Sequence, residues 1–488
     1  MKRIITILCL AVVAAWAMAV TQEHAPRVKY PGKKSYSFRI TLANKKGCGY
    51  SVEKPRQFLS AKAIERRRKQ GIALDSTDLP VSRNYVRTIL ATTDEIALVG
   101  TSKWNNTVVV NITDTSIVRD IRKLDFVKDC QRVWTSPDSI VPSFKRKKVM
   151  DKFNEWDSLK NVPHGLAHIQ IALMKGDKLH ERGFRGKGMT IAVLDGGFAN
   201  ADRINAFKNI KVAGTADFVF PRSRDIFNET DHGTKVLSAL GMNAPTVYIG
   251  SAPEATYWLL RCEEQQTEQP VEEDYWAMAA EFADSVGVDM ISSSLGYNEY
   301  DNHYGDHKYR EMDGHSTLIS HTASMLASKG IVLVNSAGNY GMGPWKKITF
   351  PADAEDIITV GALTQELTNA PFSGVGPTQD GRIKPDLMAI GSPATLISSR
   401  GTVMEDMGTS FSTPIVCGLI ACLWQAMPEK TALEMIDIVR RCGDNYDHPD
   451  NVYGYGIPDF TRALKIESLS QITMRSNSIF SVQYSINE

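Results

Sequence analysis

The chain has 488 residues, 43% of them hydrophobic and 23% charged, which is ordinary for a globular protein and too long for one small domain. Lys and Arg total 56 against 55 Asp and Glu, and a net charge of +1 argues against a nucleic-acid binder or dependence on an anionic membrane surface. Mixed charge with 8% aromatic residues excludes wholesale disorder, and seven scattered cysteines without a CxxC pair exclude a disulfide-stapled miniature fold.

Residues 1–19 combine Met1-Lys2-Arg3, an apolar run to about Trp16 and Ala17-Met18-Ala19. That pattern predicts a signal peptide and export to the periplasm or the outside of the cell. The run is shorter than the ~20 residues a bilayer span needs. No later segment reads as a span, so no membrane span is expected after signal removal.

Residues 28–136 read as a small α+β unit. Alternation predicts a strand over 36–42, a helix follows over 56–70, and Gly71 stops it. Strands over 96–100 and 107–112 flank a turn at 103–106. Asp114 caps a helix reaching Leu124, and a strand over 126–134 closes the unit. This is the ferredoxin-like order. Cys48 and Cys130 both fall here and could pair.

Residues 137–165 have no periodicity and read as a linker. Its run Lys145-Arg146-Lys147-Lys148 is either a processing site or simply solvated. Residues 166–466 change character. Continuous apolar runs at 190–194, 255–260, 288–291, 331–334 and 357–360 alternate with helical stretches such as 271–285 and 316–328. This predicts an α/β unit with a parallel sheet covered by helices on both faces. Residues 467–488 form a short polar tail.

Five short motifs carry chemistry. Asp195 ends the strand over 190–194, where open α/β sheets place their ligand crevice, although a helix cap explains it too. His232, in Asp231-His232-Gly233-Thr234, fits a helix N-terminus and alone reads as a structural histidine. Ser410, in Gly408-Thr409-Ser410-Phe411-Ser412-Thr413-Pro414, opens an apolar helix, with Pro414 expected in the first turn. Small neighbours leave room for a substrate backbone, and a cap is the alternative. Asn339, after Ala337-Gly338, can aim its amide at a developing oxyanion. Ser294-Leu295-Gly296 ends another strand, where an extended peptide can add.

In this order, Val-Leu-Asp, His-Gly-Thr, Ser-Leu-Gly, Ala-Gly-Asn and Gly-Thr-Ser-x-Ser-x-Pro resemble the subtilases, the subtilisin-like serine proteases. The resemblance covers about residues 169–464. It implies a secreted endopeptidase with Ser410 as nucleophile, His232 as base, Asp195 orienting it, and Asn339 with the Ser410 N–H holding the oxyanion. It further implies that Ser294, Leu295 and Gly296 line one wall of the substrate cleft and Ala337 and Gly338 the other. Substrates would be proteins or peptides, no cofactor is required, and there is room for a structural calcium. The N-terminal unit stands where the family carries its propeptide and is expected to inhibit the catalytic unit. Three departures are Phe411, where Met or a smaller residue is common, Ile390 for a usual Pro, and Tyr297, where many relatives have Gly. The rival expectation is a catalytically inactive subtilase fold that binds peptides.

Weaker patterns remain. His303 and His307, and His164 and His168, share an i, i+4 spacing without the Glu and unbroken helix of a zinc protease, so no metal site is expected. Glu263, Glu264, Glu268, Glu272, Glu273 and Asp274 read as a solvated loop, or else as recognition of basic substrate residues or calcium. Cys417 and Cys422 are expected as buried thiols.

Overall fold

The structure, a computed structural model, describes residues 27–141, 146–150, 153, 157–223 and 225–465. The expected signal peptide and C-terminal tail lie outside the described residues.

The N-terminal unit contains β1 (Tyr36–Leu42), α1 (Ala61–Lys69), α2 (Arg83–Leu90), β2 (Ala97–Ser102), β3 (Thr107–Ile112), α3 (Val118–Ile121) and β4 (Val127–Thr135). Its antiparallel sheet runs β2-β3-β1-β4. The helix expected over 56–70 starts later. Pro55–Gln57 forms a separate 3-10 turn, and Ser60 then caps α1 by accepting the Ala63 N–H at 3.1 Å. The helix expected over 114–124 is likewise broken into a 3-10 turn and the short α3. Cys48 and Cys130 are free thiols, not a disulfide.

Strand β3 is apolar almost throughout because both its faces are covered. Val108, Val110 and Ile112 enter the unit's own core, whereas Val109 joins Trp104 and Val133 in a core shared with the larger unit.

The larger unit contains β5 (Thr190–Asp195), β6 (Lys211–Asp217), α4 (His232–Gly241), β7 (Thr256–Arg261), α5 (Val271–Val286), β8 (Met290–Ser293), α6 (Leu318–Ser328), β9 (Val332–Ser336), β10 (Ile358–Thr364), β11 (Leu387–Ser392), α7 (Thr409–Ala426) and α8 (Ala432–Arg441). Seven parallel strands run in the order β11-β10-β9-β8-β5-β7-β6. Helices α4, α7 and α8 bury their apolar faces on one side of the sheet, and α5 and α6 on the other. A fully buried Leu or Ile on such a helix contributes about 1.5–3 kcal/mol.

Among the described residues, α7 has the length and hydropathy of a membrane span, contrary to expectation, yet 89% of that stretch is buried inside the protein. From β5 the chain moves outward on one side to β6 and β7, then crosses to β8 on the other. The carboxyl ends of β5 and β8 therefore flank a topological switch point.

The N-terminal sheet sits on α5. Asp284 accepts from Arg66 at 2.6 Å, Arg67 at 2.7 Å and Lys103 at 2.8 Å. Glu281 accepts from the Ser102 hydroxyl and the N–H groups of Lys103 and Trp104, and Asp274 takes a two-pronged bond from Arg39 at 2.7 Å. The segment expected as a loose linker is fastened down where it is described. Arg146 bonds the carboxylates of Asp202 and Asp225, at 3.0 and 2.9 Å. The Met150 N–H donates to the Arg400 carbonyl, and the Leu159 N–H to that of Thr246.

Candidate active site

Asp195 is the last residue of β5 and is fully buried. One carboxylate oxygen accepts the Gly196 N–H at 2.8 Å, and the group faces His232 Nδ1 at 2.9 and 3.0 Å. His232 opens α4, whose Gly233 N–H donates to the Gly197 carbonyl at 3.1 Å. A Cβ on Gly233 would lie 2.5 Å from that carbonyl, so only glycine lets the helix start this close to the β5 loop. Burial disfavours the imidazolium, but the charge and hydrogen bond of Asp195 outweigh it and raise His232 above its ordinary value.

Ser410 lies in the first turn of α7 and is 7% exposed. Pro414 falls in the second turn, not the first as expected. Its missing N–H frees the Ser410 carbonyl, which accepts instead from the Ser294 hydroxyl at 2.8 Å. The Ser410 hydroxyl in turn donates to the Ser294 carbonyl at 3.2 Å rather than to His232.

The side-chain oxygen of Asn339 accepts the N–H and the hydroxyl of Thr409, each at 2.9 Å. This fixes the amide, leaving its nitrogen on the Gly408 side, next to the serine turn. Gly338 donates its N–H to the Thr409 hydroxyl at 3.2 Å. Ser294, Leu295 and Ala337 are buried, and the Leu295 carbonyl accepts from Asn335 at 3.3 Å, which ties the two expected walls together.

The family model described as "Subtilase family" matches residues 186–456, more than half of the chain. The chain belongs to the subtilase family. A second model, the peptidase S8 propeptide domain of Bacteroidota, matches residues 37–149 and so covers the N-terminal unit of this subtilase. Serine protease AprX of Bacillus subtilis is 28% identical over 303 residues, 56% of this chain and 65% of that protein. Subtilisin NAT of Bacillus subtilis subsp. natto is 27% identical over 281 residues, 57% of this chain and 65% of that protein. The chain thus spans about 65% of the length of these two relatives. The crystal structure of MycP1 with its N-terminal propeptide removed aligns over 61% of this chain and 96% of that one, at 22% identity and a TM-score of 0.49.

One residue that the motifs passed over, Thr349, packs between the two expected walls. A Cβ on Gly338 would lie 2.6 Å from the Thr349 hydroxyl, and one on Gly296 would collide with the same atom. Thr349 therefore fills the space between the walls, and its hydroxyl is buried without a partner. Nothing in its sequence surroundings marks it. Phe411 packs on the His232 ring at 5.6 Å between centroids.

The acidic stretch is not a solvated loop. Glu272 and Asp274 are fully buried and Glu273 is 3% exposed. Glu273 pairs with His307 at 3.0 Å and accepts the Tyr300 hydroxyl at 2.6 Å. His303 bonds Asp306, and His164 bonds His180 inside the core. Cys417 and Cys422 are buried free thiols.

Proposed function

We propose that this subtilase is an exported serine endopeptidase held inactive by its own N-terminal unit until that unit is cut away. The observation that carries the reading is the Asp195–His232 pair, set at the switch point of a parallel sheet beside a serine in the first turn of a buried helix.

In the proposed reaction the Ser410 hydroxyl swings from the Ser294 carbonyl to His232 as substrate enters. Ser410 Oγ attacks the scissile carbonyl while the free imidazole nitrogen takes its proton. Asp195 holds the other nitrogen and stabilises the imidazolium. The oxyanion sits between the Asn339 amide and the Ser410 N–H, and the positive end of the α7 dipole adds to both. His232 then protonates the leaving amine, and water repeats the attack on the acyl-enzyme. The chemistry of the proposed triad requires no cofactor. Export rests on the sequence of residues 1–19.

Inhibition rests on how the chain leaves β4. Thr135 exchanges two hydrogen bonds with the Gln269 amide at 2.8 and 3.0 Å, and Val141 exchanges two with Gln266 at 2.8 and 3.1 Å. Paired bonds of this kind hold a peptide backbone as an added strand would. Tethering gives an effective concentration of roughly millimolar. The cut is placed between residues 135 and 168.

The test is to express wild type and Ser410→Ala side by side. A fluorophosphonate should label only the wild type, which should hydrolyse casein and yield a shortened catalytic chain by mass spectrometry. Equal labelling or casein cleavage by Ser410→Ala would reject the nucleophile. Full-length wild type with full activity would reject inhibition by the N-terminal unit alone.

A further inference from the structure

Among the described residues of the basic run at 145–148, one is singled out by its surroundings. Lys147 and Lys148 are exposed, and the Lys147 ammonium lies 4.0 Å from Asp231. Arg146 keeps only 15% of its side chain exposed, and every nitrogen of its guanidinium is engaged. Nε donates to the Asn228 amide oxygen. Nη1 donates to the Asp202 carboxylate at 3.0 and 3.2 Å, and Nη2 to that of Asp225 at 2.9 and 3.1 Å. A planar fork spread over three acceptors selects arginine over lysine, whose compact ammonium cannot span them.

The pocket is built by the two loops that also deliver Asp195 and His232. The N–H groups of Phe198, Ala199 and Asn200 donate to the carbonyls of Ile226, Thr230 and Phe227. These bonds zip the loop after β5 to the loop before α4 and bring Asp202 up to Asp225. Asn200 is 1% exposed. Its amide nitrogen donates at 2.8 Å to the Lys147 carbonyl and to that of Ser399, while its side-chain oxygen has no partner. Buried polar atoms left unsatisfied are rare in native proteins, and this one sits on the amide that grips the Lys147 backbone. Further along, the Met150 N–H donates to the Arg400 carbonyl at 2.7 Å, and Val149 packs on the large core. Side chain and main chain are thus held together, as a peptide is held in a cleft.

Direction follows from the two faces of the sheet. Val141 is bonded to Gln266 in the loop entering α5, Arg146 lies against the loop entering α4, and those helices cover opposite faces. Only five residues separate the two positions, a reach of at most about 18 Å. Gln265, beside Gln266, lies against Gly196, where a Cβ would be 2.8 Å from its amide nitrogen. Val141 and Arg146 therefore flank the carboxyl edge of the sheet where Asp195 ends β5. Val141 comes first in the chain, which puts Arg146 on the C-terminal side of a bond cut at that edge. Asp202 also meets Arg203 at 3.7 Å. Asp202 and Asp225 keep 32% and 47% of their side chains exposed, so the pocket is open to an incoming arginine once Arg146 leaves.

We propose that Asp202 and Asp225, with the Asn228 and Asn200 amides, form a subsite for an arginine side chain on the C-terminal side of the scissile bond, filled in the uncut chain by Arg146. The proposal rests on the protease reading. The first arm of the test follows self-cutting of the full chain by mass spectrometry over time. Arg146→Gln and Arg146→Lys should both slow it about 5- to 20-fold, the range for two partly exposed ion pairs. Lys148→Gln should leave the rate unchanged. Asp225→Asn, which keeps an oxygen for the Phe227 N–H, should slow it likewise and add nothing to Arg146→Gln. The second arm separates a subsite from a structural fastening. It uses processed Arg146→Gln enzyme, whose own segment no longer competes, and fluorogenic peptides with a single Arg or Gln at each of the four positions after the cut. The kcat/KM should favour Arg at one position by about the same factor, and Asp225→Asn should bring that ratio down. Equal self-cutting by wild type and Arg146→Gln, or a cut C-terminal to Arg146, overturns the subsite and leaves the protease standing. So does hydrolysis with no Arg preference after the cut, or with a preference that Asp225→Asn retains. Absence of both hydrolysis and fluorophosphonate labelling overturns the protease reading and the subsite with it.

Discussion

Helix α5 and the loop before it carry two groups of buried carboxylates with opposite fates. At the far end, Asp284 is surrounded by Arg66, Arg67 and Lys103 of the N-terminal unit. Burial opposes its charge, yet those three cations pull it down to about 2. At the cleft end, Glu272 is buried as deeply, and burial with its acidic neighbours drives it the other way. Desolvation is shared, so the difference lies in whether the chain supplies the cation. Where the partner is built in, the carboxylate fastens two units together. Where it is missing, burial and the acidic neighbours favour the neutral carboxyl.

Ser410→Ala should have the largest effect, removing about 10⁶ in kcat, the loss known for subtilisin's own serine. It should leave the Asp284 end intact, so the uncut variant should melt as a single docked species. Separate transitions for the two units would break the comparison. Asp284→Ala in that uncut background strands three buried cations and should cost about 3–5 kcal/mol in chemical denaturation. A loss below about 1 kcal/mol would mean the anchor is not electrostatic.

Asn339→Ala probes the proposed oxyanion donor, which is held by Thr409. It should lower kcat about 10²–10³-fold with KM nearly unchanged, following the subtilisin precedent for an oxyanion donor. A rise in KM alone would make Asn339 a ground-state binder.

The pH profile comes next. His232 is raised above its ordinary 6.5, so it stays protonated to higher pH, and a base must be neutral. Activity should therefore rise with pH through a midpoint above 6.5, falling about tenfold per unit on the acid side. Asp195→Asn should move the midpoint down, and an unmoved midpoint would assign the titration elsewhere. The smallest effect is the contrast case. Glu65 and Arg68 form an exposed pair on α1, and Glu65→Ala should leave the melting temperature unchanged.

The buried strands were legible because a strand covered on both faces is a continuous apolar run, as in Thr190–Asp195 and Val332–Ser336. Strand β6 escaped because it is a sheet edge, exposed at Lys211, Val212 and Ala213, and carries no such run. The motifs placed Asp195 and His232 in one site because each sits at the end of an element whose polarity the sequence states. The acidic stretch misled because its partners are remote. Asp274 meets Arg39 across 235 positions and Glu273 meets His307 across 34, and no local pattern encodes either pairing. The cleft filling by Thr349 was invisible for the same reason.

In the proposed protease, the two bonds between Ser294 and Ser410 act as a safety catch. The Ser410 proton is committed to a carbonyl, so the proposed nucleophile at rest lacks the contact that would activate it. Releasing it forfeits one hydrogen bond, about 0.5–1.5 kcal/mol. Ser294 belongs to the wall on which a substrate backbone would lie, so the same strand that receives the peptide holds the latch. A small electrophile that never touches that wall must break the latch unaided, whereas a peptide engaging Ser294 helps to open it. Reactivity toward peptidyl inhibitors should therefore exceed reactivity toward bare ones by more than binding alone accounts for.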